Sequence, residues 1–196
     1  MTRLYLVRHG DTYFEPDLRL KGQLDVPLSA AGRRQAEAVA EHLRGVSVDV
    51  VLCSTLRRTS EGARMVADAT GAPLRTSPLL DERGWGRWQG LTAAEIARER
   101  GRRHAGPDGF GPLGEPADAF NARVAAFMAR TAIEGRTVVA VTHGGVLKTA
   151  VLPALGLTVR DRGAFTAETG TISLLEHDGC AWRPVFLNRA PALVDT

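Results

Sequence analysis

The sequence predicts an α/β protein whose central sheet is mostly parallel. Three observations support this fold class. Apolar, strand-like runs alternate with helical segments through most of the chain. The run at 136–142 is apolar enough to lie inside a sheet that is covered on both faces. The runs at 171–176 and 181–187 flank Asp178-Gly179, which predicts an antiparallel hairpin at the C-terminal end.

The first elements follow from apolar periodicity and capping residues. Residues 3–8 predict a buried strand, and residues 9–28 form a long polar connection of the kind that is usually functional. Ser29 is placed to cap a helix, for which Gly45 is a natural stop. The remaining elements are predicted in chain order as a strand at 48–53, a helix at 56–70 closed by Gly71, an extended piece near Leu74, a turn-rich stretch at 81–90, helices at 92–100 and 117–133, a strand at 136–142 and a helix from His143 to about Leu155.

Composition limits the class of protein. A chain of 196 residues suits a single domain, 1–196, and the Gly- and Pro-rich stretch 101–116 predicts a flexible loop or lid within it. The net charge of +3 favours small anionic ligands but is too small to indicate nucleic-acid binding. Apolar runs are too short to span a membrane, and the first strand begins without a leader, so we expect a cytoplasmic protein. The two cysteines, Cys53 and Cys180, have no metal-ligand spacing.

Three groups of polar residues follow predicted strands, where ligands bind in open α/β sheets. Arg8, His9 and Gly10 come after the first strand. There the histidine could be a nucleophile if one ring nitrogen is free and the other donates to a backbone carbonyl. Arg8 would bind the phosphoryl group, and Gly10 would let the backbone approach a ligand. Taken alone, this tripeptide favours a histidine that merely hydrogen-bonds a loop.

His143 and Gly144 follow the strand at 136–142 and open a helix. A helix N-terminus offers free N–H groups to an anion, and His143 could add a charged hydrogen bond. The alternative is an ordinary capped helix. Arg57 and Arg58 follow the strand at 48–53. An arginine at this position could reach a phosphate bound at the end of the strand. Taken alone, however, two adjacent arginines are more typical of an exposed surface.

The fourth group lies in the turn-rich stretch 81–90 and contains Glu82. A carboxyl group close to a bound phosphate could protonate a leaving oxygen. The alternative is an ordinary glycine-rich turn that has a structural role only. Taken together, two histidines, two arginines and one carboxylate provide what phosphoryl transfer requires without a metal.

With these motifs the sequence resembles the histidine phosphatase superfamily, the phosphoglycerate-mutase-like group, in its short phosphatase form. The resemblance runs from residue 3 to about residue 176. It rests on LVRHGDT at 6–12, KGQLDVPLSAAGRRQA at 21–36, CSTLRR at 53–58, LDERGWGRWQGLT at 80–92 and VTHGG at 141–145. It implies a three-layer α/β/α sandwich that acts on a small phosphorylated substrate and uses no cofactor and no metal.

The resemblance also assigns roles to individual residues. His9 matches the nucleophile, and Glu82 matches the general acid, which could later activate water. The phosphate-binding shell is matched by Arg8, Arg58, His143 and the backbone N–H of Gly144. The chain departs from the family at Glu15, where asparagine is frequent, and at Lys21, where the mutases often have threonine or serine. We expect Glu15, Lys21, Gly10 and Gly22 to contact the substrate.

Hydrolysis of a phosphomonoester is the favoured function, and several alternatives remain. A mutase would return the phosphoryl group to another hydroxyl of the substrate, but mutases of this group tend to be longer. A phosphate-binding module without activity is disfavoured by the complete set of site residues. A metal hydrolase built on His9, His143 and Glu82 is disfavoured because arginines repel cations. RNA binding by Arg98–Arg103 is weaker still, and a homodimer is compatible with the sequence.

Overall fold

A six-stranded sheet organises the chain in the computed structural model, which describes residues 1–13, 19–100, 114–133 and 135–193. The strands are β1 (Thr2–Arg8), β2 (Val50–Cys53), β3 (Leu74–Thr76), β4 (Thr137–Thr142), β5 (Ile172–His177) and β6 (Trp182–Arg189). The helices are α1 (Ala30–Leu43), α2 (Arg57–Thr70), α3 (Ala93–Arg100), α4 (Ala117–Thr131) and α5 (Gly144–Val151). Short 3₁₀ turns occur at Pro78–Leu80, Gly86–Trp88, Pro153–Leu155 and Val159–Ala164.

The strand order is β3-β2-β4-β1-β5-β6. The first four strands in this order are parallel to their neighbours. β5 runs antiparallel to β1, and β6 runs antiparallel to β5. The predicted mostly parallel sheet with an antiparallel C-terminal hairpin is therefore confirmed. The order places β4 between β2 and β1, so the carboxyl ends of these three strands are neighbours.

Helices cover both faces of the sheet and produce the three layers that the resemblance implied. Alternating residues of a strand face opposite sides, so β4 contributes to two separate apolar clusters. Val138 and Ala140 pack with residues of α4 and α5, including Phe120 and Leu147. On the other face, a second cluster joins the sheet to α1 and α2 through Val139, Val141, Val39, Leu43, Ala63 and Val66.

Capping residues explain where two helices begin or end. The hydroxyl oxygen of Ser29 accepts a hydrogen bond from the N–H of Gly32 at 3.0 Å, which is the N-cap that the sequence predicted for α1. Gly71 has φ of +71° and ends α2 in the left-handed region, as predicted.

Several predicted boundaries are wrong by a few residues. Residue 143 caps α5 with extended backbone angles instead of lying within the helix, and α5 ends at Val151 rather than near Leu155. Pro153 follows and starts a separate 3₁₀ turn because proline has no N–H to donate to a continuing helix. β2 begins at Val50 rather than residue 48, and α4 ends at Thr131 rather than residue 133.

Most of the stretch predicted as a lid, residues 101–113, lies outside the described residues, and its flexibility stays a prediction. Its described end is firmly held: the N–H of Glu115 donates to the carbonyl oxygen of Gly84 at 2.7 Å. The Glu115 carboxylate also forms an ion pair with Arg123 at 2.8 Å. Among the helices of the described residues, none is long and apolar enough to cross a membrane.

Candidate active site

The ends of three neighbouring strands bring distant residues together. His9 follows β1, Ser54 follows β2, and His143 follows β4. The register pairs Arg8 with Thr142, so the residues after these positions leave the sheet side by side. Because β2, β4 and β1 are adjacent and parallel, their carboxyl ends form one edge, where ligands bind in such sheets.

His9 is buried, with 6% of its surface exposed, and its ring is held by a backbone hydrogen bond. Nδ1 lies 2.7 Å from the carbonyl oxygen of Gly10, so Nδ1 bears the hydrogen and Nε2 keeps its lone pair. Burial and the neighbouring Arg58 guanidinium lower the pKa of His9 well below its usual value. The imidazole is therefore neutral near pH 7, with an unprotonated Nε2.

Arg58 is fully enclosed and uses its guanidinium to organise the site, with 1% of its surface exposed. Its Nε lies 3.2 Å from Nε2 of His9 and 3.2 Å from Nδ1 of His143. Its terminal nitrogens donate to the carbonyl oxygens of Gly22 and Leu24, each at 2.7 Å. Burial lowers the pKa of Arg58 to about 10, so the guanidinium stays charged. Arg57 instead points to solvent and pairs with Glu61 at 2.9 Å.

His143 has no exposed surface and lies behind Arg58 and His9. Its Nε2 is 2.8 Å from the hydroxyl oxygen of Ser54, and its ring centre is 5.2 Å from that of His9. Burial and Arg58 lower the pKa of His143 well below its usual value. The charged hydrogen bond that the sequence suggested for His143 is therefore disfavoured while the site is free of anions.

Arg8 reaches the cleft from the end of β1. One terminal nitrogen donates to the carbonyl oxygen of Ala167, whereas Nε is buried and has no hydrogen-bond acceptor among the described residues. A Cβ atom on Gly144 would lie 3.3 Å from this Nε, so the start of α5 passes directly beside the guanidinium. Arg8 and the N-terminal end of α5 thus offer donors to the same ligand.

Glu82 contacts the start of α5 from the opposite loop. Its Oε2 accepts a hydrogen bond from the N–H of Gly145 at 3.1 Å, and its Oε1 accepts one from the N–H of Arg83 at 2.8 Å. Gln23 donates its side-chain amide to the Glu82 carbonyl oxygen at 3.0 Å, which holds the loop in place. Glu82 and His9 line the same cleft.

These groups line a cleft of about 610 Å³. Its lining includes Arg8, His9, Arg58, Glu82 and Gly144. Of the residues expected to contact substrate, Lys21 and Gly22 line this cleft, whereas His143 lies behind its surface. The same cleft is also lined by apolar residues, namely Leu20, Trp85, Leu91, Ala93 and Ile96.

Several residues of this cleft were not predicted from the sequence. Arg19, Lys148 and Glu168 line it, and Ser54 supports it from behind. Lys148 lies four residues after Gly144 on α5, so helical spacing could have identified it. Glu168 belongs to an irregular segment before β5, and no motif indicated it.

Gly10 is not among the residues that line the main cleft, and packing within the fold requires a glycine there. A Cβ atom on Gly10 would lie 2.2 Å from the carbonyl oxygen of Gly32. Packing against the first turn of α1 thus requires a glycine here, and a substrate contact of Gly10 stays a prediction. Glu15 lies outside the described residues.

The position of Arg58 argues against a metal bound by both histidines. The Nε–H of this arginine lies between Nε2 of His9 and Nδ1 of His143, where a shared cation would have to bind. Within the part of the chain that the structure describes, no group of three or more His, Cys, Asp or Glu side chains could hold a metal ion.

Comparison with known proteins agrees with this geometry. The chain is 33% identical over 189 residues to a protein named Probable phosphoglycerate mutase GpmB from Enterobacter sp. (strain 638), covering 93% of this chain and 88% of the relative. It is 31% identical over 185 residues to the adenosylcobalamin/alpha-ribazole phosphatase of Escherichia coli (strain K12), covering 89% of each chain.

A solved structure and a family profile extend the similarity to nearly the whole chain. The crystal structure of the alpha-ribazole phosphatase from Shigella flexneri superposes with a TM-score of 0.85 and 29% identity, covering 99% of this chain and 100% of the other. Residues 4–190 match the profile of the histidine phosphatase superfamily (branch 1). A chain with this fold, this match and this arrangement of His9, Arg58 and Glu82 belongs to the histidine phosphatase superfamily.

Proposed function

We propose that this histidine phosphatase hydrolyses a small phosphomonoester through a phosphohistidine formed at Nε2 of His9. The observation that supports this most directly is the hydrogen bond from Nδ1 of His9 to the Gly10 carbonyl oxygen at 2.7 Å. It selects the tautomer whose lone pair is on Nε2, on the side of Arg58 and the cleft. A neutral, oriented imidazole is the nucleophile that the reaction requires.

The phosphoryl group binds where donors surround this nitrogen. Arg8 offers its unpartnered Nε–H, and the N–H of Gly144 begins a helix whose dipole favours an anion. Arg58 adds a buried positive charge beside His9. As Nε2 of His9 attacks phosphorus, negative charge on the equatorial oxygens is stabilised by these fixed groups, which need little reorganisation.

Glu82 serves as the acid for the leaving group. Its carboxyl group lines the cleft beside the start of α5 and transfers its proton to the ester oxygen as the P–O bond breaks. The alcohol then leaves, and the phosphoryl group remains on His9. The Glu82 carboxylate accepts a proton from a water molecule, whose oxygen attacks phosphorus and releases inorganic phosphate and neutral His9.

The cleft supports a substrate larger than a phosphorylated triose. Its volume of about 610 Å³ lies within the usual range for small-molecule sites and leaves ample space beyond the phosphate. Apolar residues, including Trp85 and Ile96, are among those that line the cleft. We therefore propose an ester whose alcohol carries an apolar face, and the relatives named alpha-ribazole phosphatase make that compound class the first one to examine.

The deciding experiment follows hydrolysis of an aryl phosphate in the presence of EDTA. We expect wild-type activity to persist and His9→Ala to lose it, while His42→Ala, which removes an exposed histidine from α1, stays active. Enzyme denatured with alkali during turnover should contain phosphate on His9 that later acid treatment releases. Loss of wild-type activity in EDTA, or full activity of His9→Ala, would refute the mechanism.

Product analysis separates hydrolysis from the mutase reaction. A phosphatase releases one inorganic phosphate per substrate consumed, whereas a mutase produces an isomeric monoester and little free phosphate. Cytoplasmic location and association into a homodimer stay predictions. Light scattering of the purified chain tests the second of these.

A further inference from the structure

One hydrogen on Arg58 is shared by two imidazoles. The Nε–H group lies at 3.2 Å from Nε2 of His9 and from Nδ1 of His143. A guanidinium can only donate, so both of these ring nitrogens must be acceptors with free lone pairs. A neutral imidazole carries its hydrogen on the other nitrogen. The two histidines therefore have opposite tautomers: His9 bears its hydrogen on Nδ1 and His143 on Nε2.

Ser54 and Thr59 hold His143 in this tautomer. The Ser54 hydroxyl oxygen accepts from Nε2–H of His143 at 2.8 Å and from the N–H of Leu56 at 3.1 Å. Its own hydrogen is then directed to the Thr59 hydroxyl, 2.7 Å away. Thr59 in turn donates to the carbonyl oxygen of Leu56 at 2.7 Å. Each donor in this chain has an acceptor, and both hydroxyl-bearing residues are completely buried.

In this arrangement Nδ1 of His143 carries no hydrogen, although it lies where phosphate must bind. A phosphoryl group on or beside Nε2 of His9 lies next to Nδ1 of His143, because both nitrogens contact the same Arg58 atom. Phosphate oxygens are acceptors, and an oxygen facing the Nδ1 lone pair would be repelled. The single Nε–H of Arg58 cannot satisfy both acceptors fully. His143 cannot supply its Nε2 hydrogen either, since Ser54 holds it on the far side of the ring.

We propose that Ser54 and Thr59 hold His143 in its Nε2–H tautomer, so that the site takes up one proton, at Nδ1 of His143, when it binds a tetrahedral dianion. The inference rests on the proposed phosphate site beside His9. The proton comes from solvent when the ligand is a dianion, and from the phosphate itself when the ligand is a monoanion. His143 then becomes an imidazolium that donates through Nε2 to Ser54 and through Nδ1 to the anion.

The charges around His143 agree with proton uptake that depends on the anion. Four cationic or titratable groups face it, namely Arg8 and His9 at the end of β1, Arg58 on α2 and Arg123 on α4. Glu82 approaches the following turn of α5 through Gly145. Burial and these positive charges lower the pKa of His143 in the free site. A bound dianion supplies the negative charge that reverses this effect.

Sulfate is a suitable probe because it is a tetrahedral dianion without a proton at pH 8. Nitrogen-15 spectra of the labelled full-length protein report the state of each His143 ring nitrogen. We expect the Nε2–H tautomer without sulfate and the doubly protonated ring at saturation. Calorimetry at pH 8 in buffers of different ionisation enthalpy should give uptake of about one proton for each sulfate bound.

Variants assign this proton and test the role of the hydroxyl groups. Glu82→Gln should keep the uptake, because the proton goes to His143. Ser54→Ala should give a mixture of His143 tautomers and an uptake clearly below one proton, whereas Ser54→Thr should restore the wild-type value. If Ser54→Ala does not fold, the wild-type and Glu82→Gln measurements still test whether His143 takes up the proton.

The outcomes separate this inference from the proposed function. Sulfate that binds in competition with the aryl phosphate while His143 stays neutral overturns the inference and leaves the phosphatase mechanism intact. Uptake that disappears in Glu82→Gln also overturns it, because the proton would then belong to that carboxylate. Failure of sulfate and of inorganic phosphate to bind beside His9 would remove the anion site, and the proposed function with it.

Discussion

Oε2 of Glu82 accepts a hydrogen bond from the N–H of Gly145, at 3.1 Å, and both residues line the cleft. The acidic side chain is thus held by the first turn of α5, the helix that begins at Gly144. A Cβ atom on Gly145 would lie only 2.3 Å from Oε1 of Glu82. The absence of a side chain at Gly145 is therefore what allows the carboxyl group to approach the helix.

Gly145→Ala should move this carboxyl group and slow the reaction. We expect kcat to fall by about 100-fold, since a displacement of about 1 Å can cost that much. The free energy of unfolding should change little, because alanine is favourable in a helix. Gly163→Ala is the matched control, as a Cβ there meets nothing within 4 Å. Steady-state kinetics on one aryl phosphate compares the two, and equal kcat values would contradict the assignment of Glu82.

Replacement of the two adjacent arginines should have very different effects. Arg58→Ala removes a buried charge and leaves the carbonyl oxygens of Gly22 and Leu24 without their donor. We expect kcat/KM to fall at least 100- to 1000-fold, the usual effect of losing one such stabilising donor, with some loss of stability. Arg57→Ala, which removes only an exposed ion pair with Glu61, should keep kcat/KM within about twofold. Similar losses in both variants would show that Arg58 has no special role.

The acidic limb of the kcat/KM profile should respond to Lys21. Burial, together with the positive charges of Arg58, Arg8 and Lys21, lowers the pKa of His9, and protonated His9 cannot attack phosphorus. Removing one of these charges raises that pKa, so Lys21→Met should shift the acidic limb to higher pH. Lys148→Met, which removes the other lysine of the cleft, is the control. Ionisation of the substrate is common to all three proteins, and superimposable limbs would refute this electrostatic effect.

Stability should decrease as the pH falls below the usual histidine pKa of 6.5. His9 and His143 both have lowered pKa values in the folded state, so the unfolded chain binds more protons in this range. The free energy of unfolding then falls by about 1.4 kcal/mol per pH unit for each histidine, until the folded-state pKa is reached. Urea unfolding at pH 7.5 and 5.5 measures the decrease, which should be smaller in His9→Gln and in His143→Gln. An unchanged decrease in both variants would contradict the burial of neutral histidines.

Much of the fold follows from local sequence patterns. The apolar run of β4, the Ser29 cap and the Gly71 stop are short-range features, and the structure has each of them where it was predicted. The length of α5 was wrong because helical periodicity continues past Pro153, while the missing proline N–H ends the helix. Glu168 was missed since it lies in an irregular segment without a recognisable pattern.

The sequence by itself determined which chemical groups lie at the strand ends, because periodicity and short motifs depend only on residues that are close together in the chain. Only the tertiary structure decided how these groups interact. Arg58 lies 49 residues from His9 and 85 from His143, yet one of its hydrogens is shared by both rings. That contact depends on β4 lying between β1 and β2, an order set by packing of the whole sheet. The tautomers of both histidines follow from this arrangement, since hydrogen bonds between distant segments form only after the strands are in register.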